Sequence, residues 1–405
     1  MHSNPNNPDR RRFLALTAGA LAPAAEPARK KVAAIVTWYQ YYSHADVICG
    51  RILEGYYPNN LRTEPRTQLV SMFTDQIAPK DMSRDLSARY GFRIYPTIAG
   101  ALTMGGDRLA VDAVLLIGEH GDYPTNGKGQ KMYPRYEMMR QIVDVFRRSG
   151  RVVPLFSDKH LSYSWAKAAQ MYGWSRELKF PFMAGSSIPL TVRVPDLEIP
   201  HGARIKHALA CGYGDLDAYG FHTLETLQCM VERRHGGETG IAAVEMLEDD
   251  AVWKWRDGEG RWSAPLLEAA LATNPRTKPG PPEKNVRKPA LFLLEYRDGM
   301  RAAAYMLGGH SDAFLFAARI EGQAAPVAAH FGFTGPGRKL PHFDGLVDCI
   351  EEMFVTGKPV YPVERTLLTT GALAFLFASR GNGRVETPEL RVRYRAPQHT
   401  YYQKA

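Results

Sequence analysis

The chain has 405 residues, 45% of them hydrophobic and 23% charged, with 36 Gly and 28 Pro. This balance excludes collagen-like, coiled-coil and wholly disordered chains, and predicts two or three domains at about 150 residues each. No stretch approaches the ~18 consecutive apolar residues of a spanning helix, so an integral membrane segment is not expected. The net charge of +9 is not built from a Lys/Arg run interleaved with aromatics, so nucleic acid is not an expected partner either.

The basic surplus is densest at the start, where Arg10, Arg11, Arg12, Arg29, Lys30 and Lys31 face only Asp9 and Glu26. Arg10-Arg11-Arg12-Phe13-Leu14 precedes a short apolar stretch to Leu21 and the small residues Ala22 to Ala25. This order resembles a twin-arginine export signal, which implies the twin-arginine export machinery as a partner and an exported, periplasmic location. Residues 1–30 are therefore expected to be signal and linker. Cys49, Cys211, Cys229 and Cys349 are far apart and form no CxxC, which predicts four buried free thiols.

From Lys31 onward, apolar runs of strand length alternate with helical patterns. Val32 to Val36, Leu69 to Phe73, Val111 to Ile117 and Val152 to Phe156 are apolar enough to be buried on both faces. Met138, Ile142, Val145 and Phe146 fall on one helical face, with Gly150 as the stop. Repeated strand-helix-strand units predict a doubly wound parallel sheet over residues 31–184. Beyond it, Leu190 to Val194, Ala290 to Tyr296 and Arg301 to Leu307 read as strands, the last two joined through the hairpin signal Asp298-Gly299. Residues 274–289 hold five Pro and read as a loop, and two apolar helices follow, one through Phe343 and Phe354 and one from Leu367 to Ala378. An antiparallel sheet with helices is expected over 185–394, then a tail over 395–405.

Ligands in open α/β sheets gather at the carboxyl ends of strands. The loop after the first run, Thr37-Trp38-Tyr39-Gln40-Tyr41-Tyr42-Ser43-His44, has no glycine and four aromatics in five positions. It either lines a ligand pocket or packs between helix and sheet. Asp75 ends the second run, where an acid can receive ribose hydroxyls. Gly118, Glu119, His120, Asp122 and Tyr123 follow the run ending at Ile117; Glu119 and His120 suit acid–base chemistry, and their spacing matches no metal motif. Asp158-Lys159-His160 ends the next run. His222 and Glu225 stand three apart on a helical pattern, an arrangement in which a carboxylate steers an imidazole.

Together these positions resemble the glucose-fructose oxidoreductase, inositol dehydrogenase and MocA family (Gfo/Idh/MocA). The resemblance rests on Asp75, Arg89-Tyr90-Gly91, Val111-Asp112-Ala113-Val114, Asp158-Lys159-His160-Leu161, the series Ala218, Gly220, His222, Glu225, and Thr356-Gly357-Lys358-Pro359-Val360. It implies a Rossmann-like domain followed by an open antiparallel sheet domain, and an oxidoreductase that uses NAD or NADP on a sugar or polyol. Lys159 and His222 fall on the catalytic lysine and acid–base histidine. Thr37, Trp38, Tyr39, Asp75, Gly118, Glu119 and Asp158 fall along the cofactor's path, and His120, Tyr123 and Glu225 along the substrate's. The family commonly forms homo-oligomers through the open sheet. The departures are equally plain: the glycine loop is replaced, His160 stands for the motif proline, Ala218 for an acid and Glu225 for an Asp. They leave two other expectations standing, a saccharide-binding protein without dinucleotide and a cofactor-free or metal-assisted lyase, epimerase or hydrolase.

Overall fold

A computed structural model describes residues 28–332 and 339–404; the Arg10 to Leu14 export pattern lies outside the described residues. The first sheet is built from Lys30–Val36 (β1), Thr67–Thr74 (β2), Arg93–Ile94 (β3), Ala113–Ile117 (β4), Leu155–Asp158 (β5) and Phe182–Gly185 (β6). Its order is β3-β2-β1-β4-β5-β6, and every pair is parallel. That is the doubly wound arrangement the alternating runs predict. The continuous apolar character of β1 has a direct cause in its two covers. Val32, Ala34 and Val36 pack with helices His44–Glu54 and Phe343–Thr356. Ala33 and Ile35 pack with helices Ile98–Thr103, Arg135–Ser149 and Trp165–Leu178 on the other side. The helix from Arg135 stops where Gly150 takes the left-handed conformation.

The second sheet comprises Val192–Val194 (β7), Ile205–Gly212 (β8), Ile241–Glu248 (β9), Ala290–Tyr296 (β10), Arg301–Met306 (β11), Phe314–Ile320 (β12), Val327–Gly332 (β13) and Val385–Glu386 (β14). The order is β14-β9-β10-β11-β8-β12-β13-β7. The β10–β11 hairpin turns through Gly299 at φ 88°, as Asp298-Gly299 predicts. The sheet is mixed rather than wholly antiparallel, because β8 and β11 run parallel. It is an open sheet, ending at β14 and β7, and its far face is covered: Val252, Leu266, Leu267 and Ala270 pack on Leu209, Leu291, Ala303 and Leu315. The near face shares one continuous core with the first sheet, through helices Ala218–Val231 and Val363–Ser379.

Two predicted runs start late for a local reason. Pro154 delays β5 to Leu155, and Pro189 makes Ile188–Leu190 a 3-10 turn before β7, since proline gives the ladder no N–H. The four cysteines are free and buried. Among the described residues no helix is long and apolar enough to cross a membrane.

Candidate active site

The carboxyl ends of β1, β4, β5 and β6 converge on one buried polar centre. Lys159 follows β5 and stands in the left-handed region at φ 67°, as does His120 after β4 at φ 69°. Such backbone is uncommon for residues with a Cβ and persists where the surroundings impose it. Here the Lys159 N–H donates to Gly185 O at 3.1 Å, which fixes the turn. The ammonium then reaches His222 Nε2 at 2.7 Å across 63 residues of chain. Glu119 Oε1 lies 3.5 Å from the same ammonium.

An ammonium can only donate, so His222 Nε2 accepts and its Nδ1–H faces Ser186 Oγ at 2.6 Å. Burial and the Lys159 charge hold the imidazole well below the ordinary histidine range, so it stands neutral, with Nε2 as its acceptor. Burial alone would raise the Glu119 carboxyl, but Lys159 and Arg135 together hold it well below the usual range. Arg135 Nη2 donates to Glu119 Oε2 at 2.5 Å. A cavity of about 270 Å³ opens beside Glu119.

The expected residues divide into those the centre contains and those it does not. Lys159, His222 and Glu119 meet. Glu225 does not steer His222; it is fully buried behind it, where Thr369 Oγ1 donates to it at 2.6 Å and Arg365 lies 3.7 Å away. The i, i+3 spacing placed both on the helix, but Ser186 occupies the Nδ1 side. Tyr123 is not turned to the cavity: its hydroxyl donates to Asp75 Oδ2 at 2.6 Å. His120 packs on the His44 ring at 5.3 Å, and burial, with His44 next, lowers it to about 4. Arg135, Ser186, His44 and Asp217 were not singled out from the sequence. His44 Nδ1 lies 2.6 Å from Asp158 Oδ2 across 114 residues, a pairing no local spacing announces.

Where the resemblance implies a dinucleotide, this chain supplies its own partners to the helix start and the strand ends. At the start of helix His44–Glu54, where a pyrophosphate would take free amides, Ser43 Oγ receives the Gln40 and Asp46 N–H groups at 3.2 and 3.3 Å. The Asp46 carboxylate receives Tyr42 N–H at 2.7 Å and pairs with Lys339. An anion would therefore meet a carboxylate already seated there. Tyr39 is fully buried in the core beneath the helix, and Thr37 Oγ1 donates to Glu119 O at 2.8 Å. Gln76 and Asp122 exchange bonds of 2.8 and 2.9 Å, and with Asp75 bonded to Tyr123 the 118–124 loop is laced over the ends of β1 and β2. Gly118 is needed for another reason than cofactor approach, since a Cβ there would lie 2.5 Å from Arg135 Cγ. Trp38 keeps a buried Nε1 without a partner among the described residues. In this arrangement the residues along the path do not fit a nicotinamide dinucleotide. Among the described residues no group of three or more His, Cys, Asp or Glu is placed to hold a metal ion.

No protein-family model matches the chain, and no curated protein matches it in sequence. Solved structures do. GenD2 from gentamicin A biosynthesis, in complex with NAD, has 13% identity and a TM-score of 0.55, over 91% of this chain and 99% of its own. Myo-inositol dehydrogenase from Lactobacillus casei, in complex with NAD(H) and myo-inositol, has 11% identity and a TM-score of 0.56, over 93% and 100%. Myo-inositol 2-dehydrogenase from Lactobacillus plantarum has 10% identity and a TM-score of 0.52, over 89% and 99%. The shared property is the two-domain architecture of Gfo/Idh/MocA-type dehydrogenases.

Proposed function

We propose that this chain is an enzyme that moves protons on a hydroxy-carbonyl sugar, with Lys159 and His222 as its acid–base pair. One observation carries the reading: the ammonium and the neutral imidazole meet at 2.7 Å at the carboxyl edge of the first sheet, and Glu119, 3.5 Å from the ammonium, lines a cavity of about 270 Å³. A substrate oxygen that replaces the Lys159–His222 bond receives the Lys159 N–H and leaves Nε2 free as a base. On a hydroxy-carbonyl sugar that suffices for isomerisation. Nε2 takes the proton from the hydroxyl-bearing carbon beside the carbonyl, and Lys159 stabilises the charge gathering on the carbonyl oxygen. The enediolate takes the proton back from His222 on the former carbonyl carbon while the hydroxyl proton passes to the former carbonyl oxygen, so one C–H and one O–H bond break and one of each form with no oxidant consumed. Glu119, tied to Arg135, holds the ammonium in place.

A second reading, an NAD(P)-dependent sugar or polyol oxidoreductase, is favoured by the fold shared with the NAD-bound GenD2 and myo-inositol dehydrogenase structures. It requires Asp46 and the 118–124 loop to leave the dinucleotide's path. Export to the periplasm belongs to either reading and rests on the Arg10 to Leu14 pattern alone.

The test is proton NMR in D2O of the full chain with aldoses, ketoses and cyclitols, with and without NAD or NADP. Deuterium is expected at the carbon beside the carbonyl without dinucleotide, slowed at least ~100-fold in Lys159→Met and His222→Gln. Turnover seen only with added dinucleotide selects the second reading. Saccharide binding with neither reaction leaves a binding protein and ends the enzyme interpretation.

A further inference from the structure

We infer that the cavity between helix Ala264–Ala272 and the 274–289 segment holds a neutral, largely apolar molecule that carries a carbonyl oxygen, with His310 as the donor to that oxygen. The site is separate from the Lys159 centre and does not rest on the function proposed above. Leu267, which lines it, packs with Leu209, Leu291, Ala303 and Leu315 on the face of the second sheet turned away from the first. The cavity measures about 590 Å³, within the ~300–1,000 Å³ of ordinary small-molecule pockets.

The neighbours of His310 fix where its proton sits. Asn285 Nδ2 donates to Pro279 O at 3.0 Å and lies 2.9 Å from His310 Nδ1. A carbonyl can only accept, so Nδ2 is the donor group of the amide and Nδ1 accepts from it. His310 is 3% exposed, and burial lowers its pKa from the ordinary histidine range, with Glu283 opposing the shift and Lys278 adding to it. The neutral ring therefore carries its one proton on Nε2. That Nε2–H has no acceptor among the described residues, yet it keeps accessible surface, and the ring lines the cavity. The Lys278 N–H donates to His310 O at 2.9 Å, which holds the segment against this end of the cavity.

The rest of the lining selects the body and the charge of the ligand. Ala264, Leu267 and Leu271 stand at i, i+3 and i+7 of one helix and form an apolar stripe, to which Pro282 adds from the neighbouring segment. Arg256 is already held by Asp257 at 2.7 Å and by Glu283. The two remaining charges of the lining, Lys278 and Glu268, have opposite signs. An anion would bring an uncompensated charge against the apolar stripe, and an ammonium has no lone pair for the His310 N–H. A neutral carbonyl oxygen answers that donor and adds no charge, while the body attached to it covers the leucines.

The experiment is fluorescence titration of the purified full chain with 2-acetylnaphthalene, a flat apolar ring system with one carbonyl, against 2-ethylnaphthalene, 2-naphthoate and 2-naphthylmethylamine. The ketone is expected to bind at least about fivefold more tightly than each of the other three. His310→Phe should remove its preference over 2-ethylnaphthalene. Leu271→Trp, which fills the cavity and leaves His310 its bonds, should abolish ketone binding, and myo-inositol should not displace the ketone. Thermal melts show which variants fold; should His310→Phe unfold, the four probes on wild type and on Leu271→Trp decide alone. The inference is overturned if the ketone does not bind up to its solubility limit, if any of the other three probes binds as tightly, or if a folded His310→Phe or Leu271→Trp protein binds the ketone as wild type does. Displacement by myo-inositol would place the ketone at the Lys159 centre and overturn it as well.

Discussion

Asp217 is a carboxylate held where ionisation is unfavourable. Burial raises it to about 6; the Lys131 N–H and Arg135 oppose that shift, while Asp215 and Glu119 add to it. An unfolded Asp titrates near ~3.9. The folded state thus favours the protonated form, and this contribution is complete below the unfolded value and lost as pH rises through about 6. Asp217→Asn, neutral throughout, should therefore be more stable than wild type by roughly 1–3 kcal/mol at pH 8 and equal to it near pH 3. Thermal melts at the two pH values check this; an equal shift at both would remove the explanation. A residue that weakens the fold is a common signature of a functional site. Lys159 itself was legible from the sequence as a charge at a strand end. Its partners Arg135 and Ser186 were not, because an arginine opening an amphipathic helix and a serine after a short strand look the same whether they face solvent or a buried imidazole.

The turn after β6 sets the geometry of the centre. Gly185 has φ 125°, its carbonyl fixes Lys159, and a Cβ there would stand 2.6 Å from Thr366 Oγ1 and 2.8 Å from Glu225 Oε2. Those neighbours belong to the two helices that join the sheets. Gly185→Ala should cost about 2–4 kcal/mol in denaturant melts from strain and overpacking together, and should displace Ser186 from His222. A fully stable Gly185→Ala protein would show that the turn has another conformation available. At this level the sequence was most informative. Apolar runs of strand length that alternate with helical patterns read as inner strands, and Met138 to Phe146 can bury only one helical stripe. The glycine-free loop after β1 stated that a cradle was missing, but not what replaced it. That answer needed the Asp46–Lys339 pair and the bonds of the 118–124 loop to Asp75 and Gln76, which join residues far apart in the chain.

The two sheets are fastened by a buried ionic knot. Arg365 is fully buried, with Glu225 at 3.7 Å, Glu232 at 3.4 Å and the Tyr401 hydroxyl at 2.5 Å. Arg365→Met leaves two buried carboxyls without their cation and should destabilise the protein by about 3–5 kcal/mol. Adding Glu225→Gln and Glu232→Gln should recover part of the loss, since the neutral amides no longer need a counterion. Urea titrations of the single and triple variants measure both, and a triple variant no better than the single would locate the loss in packing instead.

Helix Phe343–Thr356 completes the first sheet's cover from far along the chain. Arg51 Nε donates to Asp344 at 2.7 Å, and Glu351 receives Tyr56 OH and Thr67 N, each at 2.8 Å. A ribosome must release the chain through residue 356 before the amino-terminal half can finish. Nascent chains shorter than about 350 residues would display one greasy side of that half to chaperones, and a premature stop anywhere upstream would leave it unsealed.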